Sequence, residues 1–205
     1  MSRRDAPDEG AFSFLPGVEP GVLREKIRGW EFLTTRHLLR TRRECADWTG
    51  SFLVNIHRDV FGKFFPEYAG RYRLGEAHYG DKAGPAPEKI DGLLQQVVLR
   101  IADHLTEVKQ ITEPLDTLQT AFLRAARDHA ELIHIHPFVD GNGRWARIAT
   151  AAFLFDCGFP IGTILKKANK RAYIDALDRA IEHGEPGDLA NELLRGYVEA
   201  MRRRA

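Results

Sequence analysis

Two cysteines in 205 residues, Cys45 and Cys157, are too few and too far apart for a disulfide framework or a thiolate zinc site. They read as buried thiols of a reducing compartment. A surplus of one charge is also missing: the formal net charge is +1, so the totals point to neither nucleic acid nor a membrane surface as a partner. The short basic run Arg202, Arg203 and Arg204 reads as a solvated end. No apolar stretch approaches the roughly 20 residues that a membrane-spanning helix needs. The opening MSRRDAPDEG is charged and lacks the apolar run of a signal peptide. Internal repeats and low-complexity blocks are absent too. The expectation is a cytoplasmic globular chain, long enough to bury a real core.

What is present is mostly helical period. Residues before about Pro20 are rich in Gly, Pro and acids and read as a loose arm, with Phe12, Phe14 and Leu15 as its apolar residues. From Val22 to about Ala46 the pattern is helical, with Gly29 weakening its middle. Thr49 is placed to cap a helix carrying Phe52, Ile56 and Val60, which should stop near Gly62 to Pro66. In residues 68–87, the alternation of Tyr72 and Leu74 followed by glycines and prolines suggests a short hairpin and loop. Pro87 opens a helix striped by Ile90, Leu94, Val97, Val98, Ile101 and Leu105. Pro114 opens another, turning Leu118, Phe122, Ala126, His129 and Ile133 inward. A further helix carries Ile148, Ala152 and Phe155 up to Gly158, and two more cover about 169–183 and 188–202. The architecture expected is a mostly α bundle with one small β element. Residues 1–20 would form the arm and 21–205 a single domain.

Between two of the longest helices stands HPFVDGNGRWAR, residues 136–147. Pro137 disfavours helical geometry at His136, so the incoming helix should break there and leave the imidazole at a surface. Gly141 and Gly143 remove side chains where another group must approach the backbone. The next helix should start at Asn142 or Gly143, where its unbonded N–H groups and dipole make an anion site. Arg144 and Arg147 can add forked donors to phosphate oxygens. Asp140 is placed to hold Mg²⁺, which commonly takes one or two carboxylates plus substrate phosphates. Together these ask for a polyphosphate, a metal and a proton acceptor beside it: the outline of nucleotidyl or phosphoryl transfer to a hydroxyl.

Each residue alone has a duller use. His136 can be structural, Asp140 a helix cap, the glycines a turn, and Arg144 and Arg147 partners of surface acids. Phe138 is core in either reading, anchoring the loop. The dull uses do not predict all of these residues in this order. GNGRWA formally fits the dinucleotide fingerprint, but that motif needs a strand directly before it, and here the preceding residues follow a helical period. The phosphate loop with Gly-Lys-Ser/Thr is absent. His129, His134 and His136 match no established zinc spacing.

HPFVDGNGRWAR resembles the signature of Fic-domain proteins, HPFx[D/E]GNGRxxR, at every fixed position. Weaker similarity covers FLVNIHRDVFG and YAGRYR upstream and KRAYIDALDRA followed by GD downstream, a Fic core of about residues 50–190. The resemblance implies an all-α Fic-fold helical bundle with a small β-hairpin flap beside the active site. It implies transfer of AMP from ATP to a Ser, Thr or Tyr hydroxyl of a target protein, with release of pyrophosphate. His136 would be the base and Asp140 the Mg²⁺ ligand. Gly141, Asn142 and Gly143 would cradle phosphates, Arg144 would support them, and Arg147 would meet the γ-phosphate. The flap, residues 72–83 and including Leu74, Gly75, Glu76, Ala77, His78 and Tyr79, would pair with an extended stretch of the target.

Family members with lysine in place of the second loop glycine transfer phosphate instead; Gly143 favours AMP. A few relatives use other nucleotides or phosphocholine, and a non-catalytic nucleotide- or peptide-binding module on the same fold is the alternative of another class. Many Fic proteins silence themselves with a helix carrying [S/T]xxxE[G/N]. Here the single Glu followed by Gly or Asn is Glu9, with Asp5 four residues earlier and Pro7 between. The expectation is therefore no internal brake, and a separate antitoxin-like partner as one source of control.

Overall fold

Thr49 starts a helix as a good cap should: it is extended (φ −138°, ψ 158°), and its hydroxyl accepts the Phe52 N–H at 3.0 Å. The computed structural model in which this is seen describes residues 18–41, 48–79, 82–159 and 169–202. Residues 1–17 of the expected arm, Cys45, and Arg203 and Arg204 lie outside the described residues, whereas Pro20, the last of the arm, is the first residue of the helix Pro20–Thr41. In chain order the elements are α1 (Pro20–Thr41), α2 (Gly50–Phe61), β1 (His78–Tyr79), β2 (Lys82–Ala83), a 3-10 turn (Pro87–Lys89), α3 (Ile90–Gln110), α4 (Pro114–Ile135), α5 (Asn142–Asp156), α6 (Lys170–His183) and α7 (Gly187–Arg202). Among the described residues no helix is long and apolar enough to cross a membrane.

The helices sit where their apolar periods put them. Leu53, Ile56 and Val60 of α2 are buried, as are Ile90, Leu94, Val97, Val98 and Ile101 of α3. Pro87 opens a 3-10 turn and not the first turn of α3 itself; the α-helix proper begins at Ile90. Gly29 does not interrupt α1, which runs through it. The centre of the bundle is α4, packed against α3, α5, α6 and α7, while α1 lies over α2 and α5. Trp145 of α5 is fully buried, and its indole N–H donates to the Leu53 carbonyl of α2 at 2.7 Å. That bond fixes the depth at which the motif helix sits against α2.

The hairpin is real but lies later than the Tyr72/Leu74 alternation suggests. Its strands pair His78 with Ala83 and Tyr79 with Lys82, antiparallel. Tyr72 and Leu74 are not strand residues: Arg73 between them is buried, Tyr72 is half-buried, and Leu74 is 95% exposed. What looked like a strand period is a bend wrapped around a buried arginine.

Candidate active site

Helix α4 ends at Ile135 because His136 turns left-handed, with φ 47° and ψ 57°. Such a conformation costs an ordinary residue roughly 1–2 kcal/mol, so something must hold it. Arg73 does. Its Nε–H donates to the His136 carbonyl at 2.7 Å, and its other N–H groups reach the carbonyls of Gly75, Pro85 and Ile135. The Arg73 backbone N–H adds a bond to the Pro137 carbonyl at 2.9 Å. A buried guanidinium thus satisfies the carbonyl end of α4, where the helix dipole favours a cation, and ties the base of the flap to the motif loop.

The His136 ring is half-buried rather than laid open on a surface. Tyr79 of β1 stacks on it, ring centres 5.2 Å apart and planes 7° from parallel. The Tyr79 hydroxyl is hydrogen-bonded to His134 Nδ1 at 2.5 Å. His136 Nδ1 is hydrogen-bonded to the Ile133 carbonyl at 3.2 Å. A carbonyl cannot donate, so Nδ1–H is the donor in this bond, and in the neutral ring the lone pair is then on Nε2. This is the tautomer a general base requires.

Phe138 pins the loop from beneath. It is fully buried, stacked on His57 at 3.7 Å and edge-on to Trp145 at 5.1 Å. Gly70 N–H donates to His57 Nδ1 at 3.0 Å, which leaves His57 Nε2–H to donate to the Asp140 carbonyl at 2.9 Å. Burial, reinforced by the Arg144 charge and opposed by the Asp140 bond, pushes the His57 pKa down to about 4, so this imidazole stays neutral and keeps both roles. Asp140 is half-buried, and its Oδ1 accepts the Gly141 N–H.

The two glycines serve different needs. Gly141 has φ +79°, and a Cβ there would meet the Phe61 ring at 2.6 Å. The close approach it permits is by the protein's own core, not by a ligand. At Gly143 a Cβ would meet only Arg147 Nη1, at an ordinary 3.5 Å, so its bareness keeps the helix start open. The N–H groups of Arg144 and Trp145 donate to the Gly141 carbonyl, and those of Asn142 and Gly143 form the unbonded start of α5. The Asn142 side chain is spent elsewhere. It accepts the Phe138 N–H at 2.9 Å and donates to the Phe138 carbonyl at 2.8 Å, so Asn142 can offer a phosphate only its backbone N–H.

Arg144 lies over the Phe61 ring at 5.1 Å. Burial raises the Tyr173 pKa, and the charge of Arg147 opposes the rise. Facing both arginines is a residue that motif spacing did not disclose: Glu31 of α1, 7% exposed. Burial raises its pKa, and the charges of Arg144 and Arg147 oppose the rise. Glu31 is followed by Phe32 and preceded at four residues by Ile27, so the [S/T]xxxE[G/N] pattern misses it.

Among the described residues no cluster of three or more His, Cys, Asp or Glu side chains could cage a metal. Asp140 stands two residues before the first residue of α5. One carboxylate beside a phosphate cradle is a donor set that fits Mg²⁺ held jointly with a nucleotide. Of the flap residues, Gly75, Glu76 and His78 are exposed, and Ala77 and Tyr79 are half-buried. Lys82 of β2 bonds Asp178 at 2.8 Å and Glu182 at 3.0 Å, docking the hairpin on α6. In the two-stranded sheet, β1 has β2 on one side only.

A profile of the Fic/DOC family matches residues 47–154, just over half of the chain. The chain belongs to the Fic/DOC family. Among Fic relatives, the protein adenylyltransferase Fic of Nematostella vectensis is 34% identical over 133 residues, 65% of this chain and 28% of its own length. That of Culex quinquefasciatus is 32% identical over 130 residues, 63% of this chain and 24% of its own. The chain thus spans about a quarter of the length of these curated relatives. The fold is that of Fic structures. Fic-1 (aa134–508) from C. elegans superposes with a TM-score of 0.66 at 24% identity, covering 94% of this chain and 56% of that one. BepC from Bartonella tribocorum with bound AMPPNP gives 0.63 at 19%, covering 85% and 86%.

His57 and Arg73 went unassigned in the sequence. Both lie in the segments FLVNIHRDVFG and YAGRYR, but nothing in those strings says that one ring would hold the Asp140 carbonyl or that one guanidinium would collect four carbonyls.

Proposed function

We propose that this Fic chain is a protein adenylyltransferase, moving AMP from ATP to a Ser, Thr or Tyr hydroxyl of a target protein. One observation carries the reading: the half-buried imidazole of His136 stands at the head of the loop that leads into the start of α5, where no side chain caps the helix. His136 Nε2 takes the proton of the target hydroxyl. The resulting oxygen forms a bond to the α-phosphorus, and the bond from that phosphorus to the bridging oxygen of pyrophosphate breaks, pyrophosphate leaving with the electron pair. General-base help of this kind contributes typically about 10² to 10⁴-fold. The larger part comes from donors fixed in place before charge develops: the N–H groups of Asn142 and Gly143, Arg144, and Arg147 toward the γ-phosphate. Asp140 would hold Mg²⁺, which when bound neutralises phosphate charge.

The flap supports strand addition by an extended target segment, because among the described residues β1 pairs on one side only and its His78 is exposed. The protein adenylyltransferases among the relatives, BepC with bound AMPPNP and a Bartonella quintana Fic domain with bound ADP support ATP as co-substrate. Gly143 supports AMP over phosphate as the transferred group. A reducing, cytoplasmic setting remains the reading of a sequence with only two widely separated cysteines. Control by a separate antitoxin-like protein remains the reading of the motif, whereas the buried Glu31 favours a restraint inside the chain. Coexpression with a neighbouring small protein, against Glu31→Gln alone, separates the two.

The deciding assay incubates the chain and a lysate with ATP labelled at the α- or the γ-phosphate. Label on protein from α only, lost in His136→Ala while nucleotide still binds, is the expected result. Label from γ means phosphoryl transfer, and bound nucleotide without label means a binding module.

A further inference from the structure

The hairpin is too small to hold itself in place. Among the described residues it pairs His78 with Ala83 and Tyr79 with Lys82, and even a complete isolated two-stranded hairpin is marginal in water. Anchors outside the sheet must fix it. Tyr79 and Lys82 stand directly opposite each other on neighbouring strands, so their side chains share one face of the ribbon. That face is attached to two different helices. Tyr79 reaches the end of α4, bonding His134 Nδ1 and stacking on His136. Lys82 reaches α6, where its ammonium donates to Asp178 at 2.8 Å and lies 3.0 Å from Glu182. Asp178 and Glu182 are four residues apart, hence one above the other on the same side of α6, and the ammonium sits against both. The Lys82 side chain is 15% exposed. A charge withdrawn that far from water is retained where carboxylates compensate it, and without it the two acids would repel one another.

The attachment reaches the base. His136 Nδ1–H meets the Ile133 carbonyl at 3.2 Å, the long end of the usual N–H···O range, and the Tyr79 ring adds a restraint from the face of the imidazole. We propose that Lys82 is a positioning residue: held against Asp178 and Glu182 of α6, it keeps Tyr79 stacked on His136 and so fixes the plane in which Nε2 meets the incoming hydroxyl. Such orientation matters to rate, because a misplacement of about 1 Å can cost about 10²-fold. Supporting residues of this kind work by locking the side chains that do the chemistry. Through Lys82, a helix that follows the motif in sequence sets the geometry of the motif's first residue.

Lys82 acts on the reaction through His136, so its role rests on the reading of His136 as the base, and two measurements keep the two apart. Proton NMR of the full chain reads the stack directly: the carbon-bound protons of His136 lie in the ring-current field of Tyr79, and Tyr79→Ala gives their unstacked positions. In Lys82→Met these resonances are expected to move toward the Tyr79→Ala positions. Lys82→Arg can still pair with both acids and should leave them as in the unaltered chain. With α-labelled ATP and the lysate, Lys82→Met should lower the rate of AMP transfer at saturating ATP about tenfold with KM for ATP unchanged, and Lys82→Arg should recover most of that rate. A general defect of the fold would move KM as well. Resonances unmoved in Lys82→Met, or a full rate with the stack lost, overturn the proposal. If His136→Ala transfers AMP at the rate of the unaltered chain, the base reading falls and the role of Lys82 with it. If His136→Ala is inactive while Lys82→Met keeps the full rate, the assignment of Lys82 alone falls. Should Lys82→Met fail to fold, Asp178→Asn combined with Glu182→Gln removes the same contact from the α6 side, and resonances unmoved in that variant sink the proposal equally.

Discussion

The Asn142 side chain closes the motif loop on itself, and truncating it offers a quantitative test. It makes two bonds to the backbone of Phe138, a residue with no solvent exposure. Asn142→Ala leaves one N–H and one C=O buried without partners. Each such group costs about 1–3 kcal/mol, so the sum is about 2–6 kcal/mol, and partial relaxation of the loop places the expected loss near 3 kcal/mol. Urea unfolding followed by tryptophan fluorescence, with Trp145 as the buried reporter, should show a midpoint lower by about 1 M. Asn142→Asp sharpens the test, because it has the same shape. At pH 7 its carboxylate still accepts the Phe138 N–H but sets an anionic oxygen against the Phe138 carbonyl, so it should be at least as destabilising. Protonated, the carboxyl recovers both bonds. The folded state therefore favours the protonated acid and raises its pKa above the unfolded value; the stabilising bond is fully present below the unfolded pKa and is lost as pH rises through the folded one. The gap between Asn142→Asp and the unaltered chain should accordingly narrow as pH falls. A midpoint shift below about 0.3 M for Asn142→Ala, or a gap that stays constant with pH, refutes the argument.

Arg73→Met removes donors from the end of α4 and strands several buried carbonyls; hydrogen bonds to charged groups count about 1.5–3 kcal/mol each. It should lower stability by more than 3 kcal/mol and be detected as the largest single loss among loop variants. Tyr79→Phe keeps the stack on His136 and loses the bond to His134, so AMP transfer should persist at a reduced rate; Tyr79→Ala loses both and should lower kcat well below Tyr79→Phe. Equal activity of the two would mean the stack does nothing. Burial, with Asp156 adding, pushes the Cys157 pKa up to about 12, so at pH 8 its thiolate is scarce, and peptide mapping after brief alkylation of the native chain should find Cys157 unmodified. Glu31→Gln removes the buried acid facing Arg144 and Arg147 and should raise ATP affinity; unchanged affinity would assign Glu31 to packing alone.

The amino-acid order by itself determined the helices and the motif's chemistry. Apolar stripes of α3 and α4 repeat with the helical period, Thr49 and Pro114 mark helix starts, and HPFVDGNGRWAR names a base, an acid and an anion-binding helix start within twelve residues. These are local properties, written in spacing and in the conformational limits of Pro and Gly. What only the tertiary structure decided depends on contacts between distant segments: that Phe61 makes Gly141 obligatory, that Asn142 locks the loop instead of offering its amide to a ligand, that Arg73 gathers carbonyls from the flap and the end of α4, and that Glu31 and Tyr173 approach the arginines from α1 and α6. No periodicity encodes those meetings, because each pairs residues separated by whole helices, and the free energy that selects them comes from burial and from satisfying polar groups once the chain has closed on itself.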